Sequence, residues 1–172
     1  MFAVVAIGAG IAGCGDDTPA GAPPTSDGSA ATAAATDLLD FRLPTVMGDE
    51  FDASGLAGSD VVVWFWSPWC TSCAQTADGI GRVAAELGDQ VSFVGIAAAG
   101  THDQYEDFLA THDLSAFPQL VDSDGEIWLR FGADTIRSSF FFLDDTGETA
   151  RSGYGEIDED SLRDRVEALI AS

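Results

Sequence analysis

The sequence predicts an α/β domain, a central mixed β-sheet covered by helices with a short β-hairpin in front of it. Three observations predict it. Val61-Val62-Val63-Trp64-Phe65-Trp66 is an unbroken apolar run rich in β-branched and aromatic residues, the pattern of a strand covered on both faces. An amphipathic stretch and a second such run, Val91 to Ala97, follow it and make a strand–helix–strand unit. A further helix, a hairpin and a last amphipathic helix close the chain, which implies a sheet of mixed direction with helices packed on it.

The chain has three parts. Phe2 to Gly13 is apolar and small, too short for the roughly 20 residues that span a bilayer but suited to the core of a signal peptide. It ends in Ile11-Ala12-Gly13-Cys14, which resembles a bacterial lipobox, so residues 1–14 are expected to be a lipoprotein-type signal with Cys14 the lipidated residue. Secretion with plain cleavage and a buried structural helix are the other readings. No Lys or Arg precedes Arg42, so a start upstream of Met1 or a degraded signal has to be allowed for. Residues 15–36 are rich in Ala, Gly, Thr, Ser, Pro and Asp and cannot bury enough apolar area to offset their ordering entropy; a disordered tether is expected there. The folded domain is expected over 37–172.

Within the domain, Phe41-Arg42-Leu43 and Glu50-Phe51 read as a hairpin around Met47-Gly48-Asp49. Ser67-Pro68-Trp69 breaks the first buried strand, and Cys70 to Leu87 reads as a helix with Ile80, Val83, Ala84 and Leu87 on one side. Thr101 to His112 reads as a helix capped by Thr101, with Asp103 and Glu106 in its first turns. Leu120-Val121 is a short strand, Glu126 to Phe131 a short helix, and Ser139 to Leu143 a strand turned by Asp145-Thr146-Gly147 into Glu148 to Ser152. The last helix, Asp158 to Ala171, presents Leu162, Val166, Leu169 and Ile170. Phe140-Phe141-Phe142 is read as core strand, and His102 and His112 as exposed polar positions.

The 172 residues carry 29 acids against 7 basic residues, all arginine, a net charge of -22. Nucleic-acid phosphates would be repelled, so that class of partner is excluded. Cys14 stands apart, which leaves Cys70 and Cys73 as a pair. Residues three apart at a helix start face the same way, so the two sulfurs can close a small ring, and unpaired helix N–H groups near the first favour its thiolate. A lone CxxC can also be half of a zinc site, but no second CxxC or paired histidines follow it. A purely structural disulfide is the other reading, though so tight a loop would add little chain-entropy stabilisation. No metal and no cofactor are expected.

Val61 to Cys73, VVVWFWSPWCTSC, resembles the active-site strand and turn of the thioredoxin superfamily. More closely, 37–172 is similar to the TlpA/ResA and DsbE-like exported thiol–disulfide oxidoreductases. Shared marks are Phe93-Val94-Gly95-Ile96, VDSDGEIWLR ending at Arg130, and Phe140 to Gly147 before the last hairpin. The resemblance implies a thioredoxin-like fold, Cys70 as the exposed nucleophile, Cys73 as the resolving cysteine, and Trp69 on the substrate-facing rim. It also implies cysteine-containing exported proteins as substrates, a membrane or extracellular redox partner, and a place at the outer face of the cell membrane or, failing the lipid, in the medium.

The chain departs from that family at three places. Ser138 stands where the family has a cis-proline opposite the CxxC. A non-proline cis bond costs about 2.5–4 kcal/mol, so a trans peptide and an altered substrate-facing loop are expected. Trp64 and Thr76 occupy the positions of the two acids that could accept the proton of the resolving thiol. Thr71-Ser72 replaces the usual Pro- or His-containing dipeptide. Arg137 reads first as a solvent-facing loop arginine; on the other reading its loop faces substrate and Cys70, where its charge would favour the thiolate. These departures favour oxidation of substrates. A TlpA/ResA-type reductase serving cytochrome c maturation, a non-catalytic or metal-binding module, and a peroxidase resting on Ser67, Pro68 and Arg137 are the alternatives.

Overall fold

The computed structural model describes residues 38–172; the expected signal, with Cys14, and the expected tether lie outside the described residues. Seven strands and four α-helices follow in order: β1 Arg42–Pro44, β2 Glu50–Asp52, β3 Val61–Trp66, α1 Thr71–Leu87, β4 Ser92–Ala97, α2 His102–Thr111, β5 Gln119–Val121, α3 Glu126–Phe131, β6 Ser139–Leu143, β7 Thr149–Tyr154 and α4 Glu159–Ile170. A 3₁₀ turn, Ala53–Leu56, links β2 to β3. The expected elements are all present. The largest boundary difference is β7, which runs on to Tyr154 because Gly153 and Tyr154 still pair with Phe140 and Ser139.

The main sheet has the order β5-β4-β3-β6-β7. β3, β4 and β5 are parallel, while β6 runs antiparallel to β3 and β7 antiparallel to β6. Parallel β3 and β4 need a crossover, and α1 supplies it. The β1–β2 hairpin is a separate two-stranded sheet, tied to the edge of the main one by a bridge from Thr45 to Leu120.

Alternation along β3 divides the core in two. Val62, Trp64 and Trp66 face one side, with Phe140 and Phe142 of β6, and are covered by α1, α2 and α4. Val61, Val63 and Phe65 face the other, with Phe141 and Leu143, and are covered by α3 and the hairpin segment. A strand apolar at every position is what two covered faces require. Gly95 of β4 has no side chain because Gln119 fills that space: a Cβ there would collide with the Gln119 amide, which accepts a hydrogen bond from Trp66 Nε1 at 3.1 Å.

Capping fixes where the helices begin. Thr101 and Gln104 form a reciprocal capping box on α2, and Asp158 accepts the Ser161 N–H at the start of α4. At α3 the residue before the helix is Gly125, which offers no side chain, and the buried Asp122 carboxylate reaches in to accept the N–H groups of Ile127 and Trp128, both at 2.9 Å.

Candidate active site

β3 ends at Trp66, and Ser67-Pro68-Trp69 carries the chain over the end of the sheet into α1. Cys70 is the N-cap of α1, in extended conformation, with its N–H on Ser67 O at 3.0 Å and its carbonyl accepting from Ala74 N at 3.1 Å. Cys70 and Cys73 are joined in a disulfide across 5.2 Å between their Cα atoms. Because Cys70 caps the helix, the Cys73 N–H points at its sulfur and donates to it at 3.2 Å. A second donor stands on the same atom: Ser72 Oγ lies 3.4 Å from Cys70 Sγ. A disulfide sulfur carries no hydrogen, so the hydroxyl must be the donor.

Cys70 keeps 4% of its surface and Cys73 only 1%. The first cysteine, expected to be exposed, is thus nearly covered, and this is a correction. The side chain caps α1, its sulfur accepting the Cys73 N–H. Cys70 nonetheless keeps slightly more of its surface than Cys73.

Trp69 is 51% exposed beside the disulfide. Its Nε1 donates to Ala99 O at 2.9 Å. Ala99 is the one non-glycine residue with positive φ among the described residues, at 57°, a conformation that aims its carbonyl at the indole. The ring therefore forms a fixed rim. A groove of about 350 Å³ runs from Pro68, Trp69 and Ala74 to Asp107, Phe108 and His112 of the α2 side. A larger cavity, about 760 Å³ between the hairpin turn and the end of α2, touches neither cysteine, so volume alone does not locate the chemistry.

Ser138 is fully buried and is tied to the start of α1 through Ser72. No peptide among the described residues is cis, so the bond before Ser138 is trans, as expected of a non-proline residue. Its N–H donates to Ser72 Oγ at 3.2 Å, and its hydroxyl accepts from Trp64 Nε1 at 2.8 Å. Two positions noted separately in the sequence, Trp64 and Ser138, are thus one buried pair. Thr76, at the other unusual position, bonds back to Ser72 O at 2.9 Å and accepts the Ile157 N–H at 3.5 Å, tying α1 to the entry of α4.

Arg137 is a solvent-facing loop arginine, the first of its two readings. Its guanidinium forks onto Asp134, with contacts of 3.0 and 2.8 Å, and it makes no hydrogen bond to either sulfur. Asp134 draws it back because the same carboxylate also accepts the Ile136 and Arg137 N–H groups. The Ile136 N–H first, and the Arg137 side chain second, hold the Asp134 carboxyl below the ordinary carboxylate range. The histidines divide. His102 is exposed and lies 3.4 Å from Glu106. His112, expected exposed, is largely covered: its Nδ1 is 3.0 Å from Asp78 of α1 and its ring packs on Phe108.

The AhpC/TSA family pattern matches residues 34–150. The soluble secreted antigen MPT53 of Mycobacterium tuberculosis strain H37Rv is 34% identical over 139 residues, 80% of this chain and 79% of that protein. This chain belongs to the AhpC/TSA family. Two solved structures from the same organism share its fold. DsbF, determined in mixed oxidised and reduced forms, has a TM-score of 0.72 and 34% identity over 77% of this chain and 96% of its own. A secreted disulfide oxidoreductase homologous to Escherichia coli DsbE has a TM-score of 0.70 and 33% identity, over 77% and 98%. The fold is therefore thioredoxin-like, with the β1–β2 hairpin as its N-terminal extension. By family and by its CxxC pair at bonding distance, the chain is a thiol–disulfide oxidoreductase.

What sequence reasoning missed at the site is the set of pairings. Ser72 was legible only as a dipeptide residue, and Ala99 carried no signal, since an alanine gives no hint of positive φ. The Trp64–Ser138 bond spans 74 positions and could have been suspected only by asking which residue would accept a buried indole N–H.

Proposed function

We propose that this protein exchanges disulfides with exported, cysteine-containing proteins at the outer face of the cell membrane, in the oxidising direction, with Cys70 as the exchanging and Cys73 as the resolving sulfur. The observation that carries this reading is the asymmetry of the pair. Cys70 is the slightly less buried residue of the two, and its Sγ is the atom facing both the Cys73 N–H and the Ser72 hydroxyl. A substrate thiolate attacks Cys70 Sγ, and the Cys70–Cys73 bond breaks with its electron pair on Cys73, which takes up a proton. A second substrate thiolate then displaces Cys70 as a thiolate. The substrate dithiol becomes a disulfide and the pair becomes a dithiol, which a membrane or extracellular partner must reoxidise. The opposite direction needs Cys73 to lose a proton before it attacks, and Trp64 and Thr76 offer no carboxylate for it. Trp69 and Arg137, whose side chains are open to solvent, form the surface a substrate meets, while Ser138 lies buried. Ile11-Ala12-Gly13-Cys14 supports lipid attachment through Cys14, with free secretion as the alternative.

The reduction potential of the pair, with activity of variants, tests this. A value between about -120 and -180 mV is expected, together with oxidation of a reduced, unfolded protein. Cys70→Ser should abolish that activity and Cys73→Ser should accumulate mixed disulfides. A value near roughly -270 mV would turn the reading to a reductase of the cytochrome c maturation type, and failure to cycle in any redox buffer would end it. Cys14→Ser should release the protein from the membrane fraction; unchanged fractionation would sink the anchor.

A further inference from the structure

Two residues that depart from the family pattern meet at one atom, the hydroxyl oxygen of Ser72. Ser138 stands where a proline would have no N–H, and its N–H is spent on Ser72 Oγ at 3.2 Å. The Ser138 side chain is held in turn by Trp64 Nε1 at 2.8 Å, so the N–H cannot swing away without breaking a buried bond. With one lone pair of Ser72 Oγ engaged by that N–H, the hydroxyl proton lies on the other side, where Cys70 Sγ is 3.4 Å away. Cys73 N–H completes a two-donor seat on the same sulfur.

We propose that Ser72 donates its hydroxyl proton in a hydrogen bond to the Cys70 thiolate, that Ser138 is the positioning residue which aims it through its main-chain N–H, and that this chain sets the reduction potential of its cysteine pair by that contact. The inference rests on the exchange chemistry proposed above. When the second substrate thiolate attacks the mixed disulfide, the bond to Cys70 Sγ breaks and the electron pair stays on that sulfur. Negative charge then develops at the atom Ser72 already faces, and no group has to reorient. A hydrogen bond to an ion is stronger than one to a neutral disulfide sulfur, so Ser72 favours the dithiol form and makes the pair a stronger oxidant. No carboxylate takes part, which suits a site that has Trp64 and Thr76 where acids would stand. The same tie gives the Ser138 N–H an internal partner, so the loop is held to the helix while the site waits for substrate.

The test uses the full chain. For wild type, Ser72→Ala and Ser72→Thr, the Cys70 thiolate is titrated by its ultraviolet absorbance, and the dithiol–disulfide equilibrium is measured against glutathione. Ser72→Ala is expected to raise the thiolate midpoint by about one pH unit and to move the equilibrium about tenfold towards the disulfide, which is about 30 mV more negative. Ser72→Thr, which keeps a hydroxyl, should return both to within about twofold of wild type. Ser138→Pro removes the N–H and should shift the equilibrium in the same direction, with the double variant no further displaced than Ser72→Ala alone. Ser72→Ala within twofold of wild type on both readouts overturns the proposal, as does a Ser72→Thr variant that behaves like alanine. If Ser138→Pro does not fold, the two Ser72 variants decide alone. A wild type that cycles normally while Ser72→Ala shows no shift defeats this inference and leaves the exchange reading standing; a wild type that never forms the dithiol defeats both.

Discussion

Two segments meet at the same disulfide and are built by different means. On one side, residues 61–73 are placed by repeating backbone structure. β3 pairs along its whole length with β4 and over five residues with β6, and α1 begins directly where the strand's exit turn ends. On the other side, residues 134–139 are shaped by side chains taken one at a time. The Asp134 carboxylate gathers the Ile136 and Arg137 N–H groups, Ser139 Oγ accepts the Asp134 N–H at 3.0 Å, and Ser138 Oγ accepts the Trp64 indole. The first wall spreads its stability over many equivalent bonds. The second hangs on a few, so single substitutions should be felt there as local loosening and in the first wall as loss of the whole fold.

Trp64 joins the two walls, and the largest effect is expected from removing it. It is fully buried, stacks on Trp66 and Phe140 with ring centroids 5.8 and 6.3 Å away, and holds the facing segment through Ser138. Trp64→Ala should cost about 3–5 kcal/mol by chemical denaturation, because the cavity left in a close-packed core collapses only in part. A loss under about 1 kcal/mol would mean that the strand side does not depend on this packing and that the two walls are less distinct than described. Ser138→Ala comes next. It strands the indole N–H in the core, at about 1–3 kcal/mol. In a Trp64→Phe background, where no N–H is left to satisfy, most of that cost should disappear; equal costs in both backgrounds would break the link between the walls.

The same contrast explains what could be read from the sequence. Strand β3 was legible because both of its faces are covered and every position is therefore apolar. α1 was legible because its buried residues recur at helical spacing and its start coincides with a CxxC. Trp69 on the rim followed from the same motif. Arg137 left two readings open because a positive charge near a cysteine suggests a thiolate partner; Asp134, three residues earlier, takes the guanidinium and already holds the local backbone. His112 was misread as exposed because Asp78, which it meets, lies on another helix. Cys70 was expected to be open because a nucleophile must be reached, yet its sulfur caps a helix and the residue is nearly covered. In each case a single side chain chose its partner, near in sequence for Arg137 and Cys70 and distant for His112, and no periodicity records that choice.

The smallest effect expected is at Asp134, and its sign follows from the direction of its pKa. The carboxyl is held below the ordinary range, first by the Ile136 N–H and then by Arg137. A group depressed in the folded state contributes stability that is fully present above its unfolded value of about 3.9, and that stability is lost as pH falls through the lower folded value. Asp134→Asn keeps one oxygen to accept the Ile136 N–H but removes the charge. It should therefore cost under about 1 kcal/mol at neutral pH, since the Arg137 partner is largely solvent-exposed, and the difference from wild type should vanish once pH drops below the folded value. The difference curve is the readout, because Asp52 and Asp158 are likewise depressed while burial and the nearby Asp145 and Asp144 push Asp60 up, and all of them titrate on the acid limb. Amide exchange should locate the effect: faster at Ile136, Arg137 and Ser138, unchanged in β3. Equal acceleration in both segments would show that the facing loop and the strand open as one unit, and the distinction between a cooperative wall and a side-chain-built one would have to be given up.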